Sequence, residues 1–219
     1  LATTQTINGL TPNIYSVTVT NSFGCTASDT ATVGQPAVLT ATMGGHTNVS
    51  CFGGSNGIDT VLVTGGTAPY SFSWTGSGSG NNPRTNLASG VYTVTVSDAN
   101  GCSDTSVVTI TQPLTLTANA DSTPVTCFGD SNGTAFVSFI NGGVAPYVYV
   151  WNNNQTGSSI SNLPAGNYTA IITDANGCII STSTAVTQPS QVGLSFTQTN
   201  ATCNGSNNGS ITVTGNGGI

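Results

Sequence analysis

The six cysteines of this chain recur with an alternating spacing. They are Cys25, Cys51, Cys102, Cys127, Cys178 and Cys203, so the successive gaps are 26, 51, 25, 51 and 25 residues. Other landmarks recur in step with them: Pro69 and Pro146, Trp74 and Trp151, Tyr15, Tyr92 and Tyr168, Asp98 and Asp174, and the Gln-Pro pairs at 35–36, 112–113 and 188–189. Self-similarity with a period of 76 or 77 residues predicts a tandem array of one small domain.

The Gln-Pro pairs mark the boundaries of the repeat. We expect complete repeats at 36–112 and 113–188, a partial repeat at 1–35 that holds strands E, F and G, and a partial repeat at 189–219 that holds strands A and B. Because the linkers are very short, we expect neighbouring repeats to abut and the array to form a stiff rod. We also expect the parent protein to continue in both directions, or neighbouring copies to complete the two ends.

The composition favours strands and turns over helices. Ser, Thr, Asn, Gly and Val dominate, and the hydrophobic residues, 37% of the chain, fall in alternating runs without a helical period. Short runs of this kind, bounded by Gly, Asn and Pro turns, are typical of an all-β, immunoglobulin-like sandwich. For the repeat 113–188 the predicted strands are 114–120 (A), 133–140 (B), 146–151 (C), 158–162 (E), 167–173 (F) and 179–187 (G).

Strand C carries three aromatic residues on one face, at the period of two that a strand requires. They are Tyr70, Phe72 and Trp74 in the first complete repeat and Tyr147, Tyr149 and Trp151 in the second. We interpret them as core side chains and not as an exposed platform for sugars. Tyr92 and Tyr168 open strand F, where a tyrosine corner is expected, and we assign them to the core as well.

The low charge of the chain argues against several classes of function. One Lys or Arg and a formal net charge of −6 leave little to neutralise the phosphates of nucleic acid or anionic lipid. No apolar run approaches the ~20 residues of a membrane helix. His46 is the one histidine, and the chain has no Lys or Glu. Few groups are thus available as a positioned acid or base, and the Ser and Thr hydroxyls have no evident partner base, so we expect no catalysis.

Structural calcium is the one cofactor to weigh. The loops that offer oxygen ligands are those with Asp98 and Asn100, with Asp130 and Asn132, and with Asp174 and Asn176. Calcium takes about six to eight oxygens, including several carboxylates, whereas each loop has one Asp that its turn already explains. We therefore expect no cofactor, with structural calcium as the alternative.

The second complete repeat is predicted to expose three apolar residues on one sheet. If the strand C aromatics point inward, Val148 and Val150 point outward, and alternation in strand F leaves Ile171 beside them. The equivalent residues of the first complete repeat are Ser71, Ser73 and Thr95. The patch is either ordinary surface or a lateral contact for copies of the array or another surface protein.

Three motifs of the repeat resemble the SprB repeat. They are Cys-Phe-Gly-Gly-Ser-Asn-Gly at 51–57, Thr-Gly-Gly-Thr-Ala-Pro-Tyr at 64–70 and Val-Tyr-Thr-Val-Thr-Val-Ser-Asp-Ala-Asn-Gly-Cys at 91–102, with second copies at 127–133, 141–147 and 167–178 and the start of a third at 203–219. The resemblance covers essentially the whole chain. The Ser/Gly-rich loop at 75–82 departs from the pattern.

The resemblance implies a place outside the cell, on its surface. Proteins of this family are giant adhesins of Bacteroidota that the type IX secretion system exports, and some are the mobile adhesins of gliding motility. We therefore expect a structural and adhesive segment of an extracellular filament, with neighbouring repeats or copies of the chain, surface glycans or surface proteins as partners. A glycan-binding module of a surface protein is the alternative.

The resemblance also implies covalent modification. The group O-glycosylates Ser or Thr where the residue follows Asp and precedes an apolar residue or Thr. Thr30, Thr60 and Ser122 stand in such sites and are the candidates for O-glycosylation.

A secreted chain with two regularly placed cysteines in each repeat favours disulfides, and six cysteines allow about fifteen complete pairings. In the predicted topology the cysteine before strand B lies at one end of the sandwich and the cysteine after strand F at the other. A bond from Cys51 to Cys102 would span a strand length, ~20 Å, so we expect Cys51 to pair with Cys178 across the repeat junction. A different path of strand A would restore the bond within the repeat. The cysteines left with partners outside this sequence or on neighbouring chains are Cys25, Cys102, Cys127 and Cys203.

Overall fold

The computed structural model describes residues 5–76 and 80–218, and these residues form strands and turns. The strands are β1 (Asn13–Thr20), β2 (Thr26–Val33), β3 (Thr40–Thr47), β4 (Gly57–Thr64), β5 (Ser71–Trp74), β6 (Arg84–Leu87), β7 (Gly90–Ser97), β8 (Ser103–Ile110), β9 (Thr117–Thr123), β10 (Gly133–Asn141), β11 (Val148–Trp151), β12 (Ser159–Leu163), β13 (Gly166–Thr173), β14 (Ile179–Val186), β15 (Ser190–Thr199) and β16 (Ser210–Gly218). In this part of the chain no helix is long and apolar enough to span a membrane. Part of the Ser/Gly-rich loop, residues 77–79, lies outside the described residues.

The chain divides into two compact units. The first is formed by the segment that ends at Thr47 together with Ile58–Thr85 and Gly90–Thr109. The second is formed by Asn48–Gly57, Asn86–Ser89 and the segment from Ile110 onward. The second unit therefore contains the second complete repeat and also the loop between strands A and B of the first.

The second complete repeat is a sandwich of two antiparallel three-stranded sheets. One sheet has the order β12-β10-β9 and the other the order β11-β13-β14. These are strands E-B-A and C-F-G, so the chain crosses between sheets after B, after C and after E. This is the strand partition of the immunoglobulin fold without strand D. The predicted all-β, immunoglobulin-like class is thereby confirmed.

Strand alternation decides which residues of the second complete repeat reach the core between its sheets. In β13, Ala170 and Ile172 are fully buried, while Ile171 between them is 48% exposed. Trp151 at the end of β11 is buried as well, and its indole N–H donates to the carbonyl of Gly157 at 3.0 Å. The polar edge of this large side chain is thus satisfied inside the repeat.

A tyrosine fixes the start of strand F. The buried Tyr168 donates its hydroxyl to the carbonyl of Pro164 at 3.0 Å. Tyr15, in the same position of the first partial repeat, donates to the carbonyl of Thr11 at 2.8 Å. These are the hydrogen bonds of a tyrosine corner, which ties strand F to the connection before it. Tyr92, the equivalent residue of the first complete repeat, is half-buried.

The first complete repeat follows the same plan, with sheets β3-β4-β6 and β5-β7-β8. Val94 and Val96 of β7 are fully buried, and Trp74 of β5 is buried. The indole N–H of Trp74 donates to the carbonyl of Asn81 at 3.2 Å. The guanidinium of Arg84 lies over the indole ring, 5.7 Å from its centroid. The single Lys or Arg of the sequence therefore covers a core tryptophan as a cation–π contact.

The two partial repeats form one hairpin each. β1 pairs with β2 as strands F and G, and β15 pairs with β16 as strands A and B. The predicted strand E of the first partial repeat is not formed in residues 5–12, and the assignment of that strand is corrected here.

Strand A of the second complete repeat begins at Thr117, later than the predicted residue 114. The carbonyl of Leu114 accepts the amide of Gly143 at 2.9 Å. Gly142 and Gly143 both have positive φ, and a Cβ on Gly142 would collide with the carbonyl of Thr115. The backbone ahead of Thr117 therefore supports the loop between strands B and C, and only afterwards joins a sheet.

Neighbouring isoleucines of β13 give a direct test of this core. We predict that Ile172→Ala lowers the free energy of unfolding by about 2–5 kcal/mol, because it leaves a cavity at a fully buried site. Ile171→Ala, on the exposed face, should change it by about 0.5 kcal/mol or less. Denaturant titration of both variants measures the difference. Equal losses in the two variants would contradict the register of β13.

Candidate functional site: the disulfide-linked loops

The loop between strands A and B is closed in the same way in three repeats. In the first complete repeat the side-chain oxygen of Asn56 accepts the amide of Ser50 at 3.0 Å, and its nitrogen donates to the Ser50 hydroxyl at 2.7 Å. The equivalent pairs are Asn132 with Thr126 and Asn208 with Thr202. Each pair brackets the Cys residue that follows the Ser or Thr, so the cysteine sits in a loop that its own repeat holds in place.

The glutamine of the Gln-Pro boundary holds the same loop from the other side. The side-chain oxygen of Gln112 accepts the amide of Gly53 at 2.8 Å, and Gln188 accepts the amide of Gly129 at 3.1 Å. Gly53 and Gly129 both have positive φ, which favours glycine. The boundary residue thus fixes the cysteine loop as well as marking the end of the repeat.

The turn between strands F and G is organised by a buried aspartate. One carboxylate oxygen of Asp174 accepts the amides of Asn176 at 2.9 Å and Cys178 at 2.8 Å, and the other accepts the amide of Val144 at 2.8 Å. Asp98 makes the equivalent bonds in the first complete repeat, to Asn100, Cys102 and Thr67. One carboxylate therefore joins the F–G turn to the B–C loop and positions the backbone of the cysteine.

These hydrogen bonds determine the ionisation of both carboxyl groups. Desolvation acts to raise the pKa of Asp174, but the amide hydrogen bonds, led by those from Cys178 and Val144, outweigh it and hold the pKa below its usual value. The same balance lowers the pKa of Asp98, where the Thr67 amide is the largest opposing contribution. A lowered folded-state pKa adds stability above the ordinary pKa, and that stability is lost as pH falls through the lowered one.

The structure bonds Cys51 to Cys178. The S–S distance is 2.06 Å and the Cα atoms are 5.7 Å apart. The side chain of Asn176 adds a hydrogen bond to the carbonyl of Ser50 at 2.8 Å. The disulfide and this hydrogen bond both lie within the second compact unit. The A–B loop of the first complete repeat is thus linked to the F–G turn of the second, and the alternative bond from Cys51 to Cys102 is not formed.

Asn176 is a site residue that sequence reasoning missed. The Asp-Ala-Asn-Gly pattern was explained by the turn, and the positive φ in that turn belongs to Gly177. The sequence offered Asn176 as an oxygen ligand for calcium, whereas its side-chain nitrogen donates to the carbonyl of Ser50 in the loop of the preceding repeat. The recurrence of Asn two residues before both Cys102 and Cys178 is the signal that could have indicated that role.

The other cysteines remain free thiols on the exposed surface: Cys25, Cys102, Cys127 and Cys203. Cys102 lies in an open groove of about 330 Å³ that is also lined by Val38, Leu39 and Ser103. The second complete repeat has an equivalent groove of about 470 Å³, in which Cys178 takes the place of Cys102. Cys51 and Phe52 also line this groove. The groove at Cys102 is thus the same structure without the Cys-Phe loop.

The loops with single aspartates do not assemble a cluster of ligands. In the described residues no group of three or more His, Cys, Asp or Glu side chains could hold a metal ion. Both carboxylate oxygens of Asp98 and Asp174 accept backbone amides, and Asp130 accepts the hydroxyl of Thr126 at 3.0 Å. These carboxylate oxygens therefore already accept hydrogen bonds within the fold.

Asp59 is the unexpected buried charge of the first complete repeat. It is 0% exposed, and neither carboxylate oxygen has a hydrogen-bond partner of standard geometry. Burial raises its pKa above the ordinary value, against a smaller opposing effect of the nearby Thr60 amide and of His46, which faces it on β3. The equivalent residue of the second complete repeat is the fully buried Ala135. Alternation from the buried Gly57 to Val61 would have signalled this inward position.

We predict that Asp59→Ala stabilises the first complete repeat at pH 7 by about 1–3 kcal/mol, because it removes an unsatisfied buried polar group. With a raised folded-state pKa, wild-type stability is greatest below the ordinary pKa of 3.8 and declines as pH rises through the raised value. The advantage of the variant should therefore grow with pH. Thermal unfolding at a series of pH values measures it, with the exposed Asp121→Ala as control. A variant less stable than wild type at pH 7 would contradict the assignment.

The remaining candidate residues lie on strand surfaces. Val148 is 60% exposed and Val150 is 41% exposed, and Val150 pairs directly with Ile171 across β11 and β13. The three apolar residues therefore share the outer face of the C-F-G sheet, as expected. The candidates for O-glycosylation differ in access: Thr30 is exposed, Thr60 is half-buried, and Ser122 is half-buried with its hydroxyl bonded to the carbonyl of Ala185 at 2.8 Å.

The first complete repeat supplies the control sequence for the apolar patch. We predict that the double substitution Val148→Ser and Val150→Ser leaves the melting temperature nearly unchanged, because both residues are exposed and Ser71 and Ser73 occupy these positions there. If the patch is a lateral contact between copies, the variant should self-associate less than wild type in sedimentation velocity. Identical sedimentation of variant and wild type over the same concentrations would assign the patch to ordinary surface.

The chain matches one protein-family model and is similar to solved structures. The family model for the SprB repeat matches residues 46–79, 119–156 and 195–219. No curated protein matches the chain. A solved structure titled "Structural basis for Dscam isoform specificity" is similar over 76% of this chain, with 14% sequence identity and a TM-score of 0.32, and the chain spans 51% of the length of that structure. The family model for the SprB repeat thus matches once in each complete repeat and a third time in the last partial repeat.

Proposed function

We propose that this chain is a structural segment of an adhesin on the bacterial cell surface, and that its repeats are joined in series by disulfides. The observation that carries the proposal is the bond between the A–B loop cysteine of one repeat and the F–G cysteine of the next, Cys51 and Cys178. A structural disulfide suits an oxidising, extracellular location. The matches to the SprB-repeat family model support a role in a surface adhesin, and export by the type IX system and service in gliding motility are part of the same proposal.

A structural role agrees with what the site contains. Its polar groups are occupied by hydrogen bonds of the fold: Asp174 by three amides, Asn56 by Ser50, and Asn176 by the Ser50 carbonyl. None of them forms the pair of acid and base, or nucleophile and base, that catalysis requires. The site therefore supports a connector and not an enzyme.

The aromatic residues of strand C do not support the alternative of a glycan-binding module. Trp74 and Trp151 are buried, and Tyr70, Phe72, Tyr147 and Tyr149 are half-buried. A platform for sugar rings needs an exposed aromatic face. We therefore propose adhesion through the surface of the repeats, with surface glycans or proteins as partners of the assembled filament.

The proposed partner of each complete repeat is its neighbour in the array. Cys127 stands in an A–B loop built like that of Cys51, and Cys102 stands beside a groove built like that of Cys178. The thiols of Cys127 and Cys102 are thus positioned to form disulfides of the same kind as the Cys51–Cys178 bond. Cys127 should bond the F–G cysteine of a following repeat.

A chain in which residues 113–188 are duplicated in tandem tests this proposal. We predict that Cys127 of the first copy bonds Cys178 of the second copy, so that the number of free thiols stays at four, as in the original chain. Peptide mapping without reduction identifies the bond, and thiol counting checks it. As control, Cys178→Ser in the second copy should raise the number of free thiols by one. Recovery of Cys127 as a free thiol, or bonded within its own repeat, would contradict the proposal.

A further inference from the structure

The Cys51–Cys178 bond closes a loop whose ends are 127 residues apart in the sequence. That loop contains β4–β8, strands B to G of the first complete repeat, and β9–β13, strands A to F of the second. We propose that this disulfide is a bypass for mechanical tension. A pull on the two ends of the chain runs to Cys51, crosses the sulfur–sulfur bond and continues from Cys178. The strands β4–β13 then carry no load.

One strand of each complete repeat stays in the path of the tension. In the first repeat this is β3, which ends at Thr47 just before Cys51. In the second it is β14, which starts at Ile179 directly after Cys178. Without the disulfide, each sandwich would be pulled through its first and last strands together. With it, core residues such as Trp151 lie on strands outside the tension path.

The two loaded strands are firmly held by their neighbours. β14 pairs with β13 along its whole length, and just beyond it the amide of Val125 donates to the carbonyl of Thr187 at 3.0 Å. β3 pairs with β4 with one register shift, and after it the amide of Val49 donates to the carbonyl of Thr111 at 2.9 Å. Tension must therefore break a row of hydrogen bonds to free either strand, and freeing it still leaves the loop closed.

The cysteine positions belong to each repeat and do not depend on the disulfide. The amide of Cys178 is held by Asp174 at 2.8 Å. The amide of Cys102, which has no disulfide, is held by Asp98 at 2.9 Å in the same way. The bond therefore forms between sites that the folded repeats already present.

The number of residues in the closed loop determines how much the disulfide shortens the fully stretched chain. A fully extended chain spans at most ~3.3–3.6 Å per residue, so the 127-residue loop stores roughly 420–460 Å of contour length. The disulfide replaces that length with the 5.7 Å between the two Cα atoms. The fully stretched chain should therefore be shorter by about this amount when oxidised than when reduced.

Single-molecule force spectroscopy tests the bypass on the full chain, tethered at both ends. The background protein carries Ser in place of the four free cysteines, Cys25, Cys102, Cys127 and Cys203, so that the Cys51–Cys178 bond is the one disulfide present. We predict that reductant lengthens the fully stretched chain by roughly 420–460 Å. Adding Cys178→Ser should give the longer trace without reductant, and reductant should then have no further effect.

Two results would overturn the proposal. One is an oxidised chain that releases its full contour length, and the other is equal contour lengths before and after reduction. The reductant comparison uses one folded protein, so it stands even where the Cys178→Ser variant folds poorly. The test depends on the disulfide alone. A loss of adhesion in the cell with the bypass intact would count against the proposed function and not against this inference.

Discussion

The convergence of backbone amides on one buried carboxylate is the constraint from which the rest of the site follows. Asp174 accepts the amides of Val144, Asn176 and Cys178, so a single side chain sets the B–C loop, the F–G turn and the cysteine. Hydrogen bonds to an ionised acceptor are stronger than those between neutral groups. Asp98 repeats the arrangement around Cys102. The geometry that makes a disulfide accessible is therefore generated inside each repeat, before any neighbour is present.

Neutral amide side chains complete the loops in a protein with very few charges. Asn56 accepts from the Ser50 amide and donates to the Ser50 hydroxyl, so one residue closes the A–B loop by itself. Gln112 then holds Gly53. Amide groups do not titrate, and their interactions are much less sensitive to salt than those of ion pairs. An exposed loop built from such contacts keeps its shape over a wide range of ionic conditions.

The features that the sequence predicted are those that depend on period and alternation. The repeat period located equivalent residues, and alternation separated the buried Ile172 from the exposed Ile171. The topological argument named Cys51 and Cys178, the pair that the structure bonds, because it needed only the ends of the sandwich on which the cysteines lie. The topological argument could not predict contacts between individual loop residues. The bond from Asn176 to Ser50 joins residues 126 apart, and the late start of strand A depends on a corner formed by Gly142 and Gly143.

Asp59 was missed for a different reason. Its inward position follows from the same alternation that places Val61 in the core, but burial of an unpaired carboxylate is so costly that the type of residue argued against the position. The structure buries Asp59 as the strand alternation requires. No hydrogen bond offsets the energetic cost of that burial, since neither carboxylate oxygen has a hydrogen-bond partner of standard geometry. Periodicity therefore outweighs residue type when a strand is held by neighbours on both sides.

The two complete repeats differ in the Ser/Gly-rich loop at 75–82 and at several positions on their sheets. Asp59 stands where the second repeat has Ala135, and Ser73 stands where it has Val150. The Asp, Asn and Cys of the loops are the same in both repeats. A loop that must match the next repeat is constrained by that partner, whereas the outer face of a sheet is constrained only by its own fold. A residue such as Val150, on the outer face of a sheet, can therefore change without disturbing the connection between repeats.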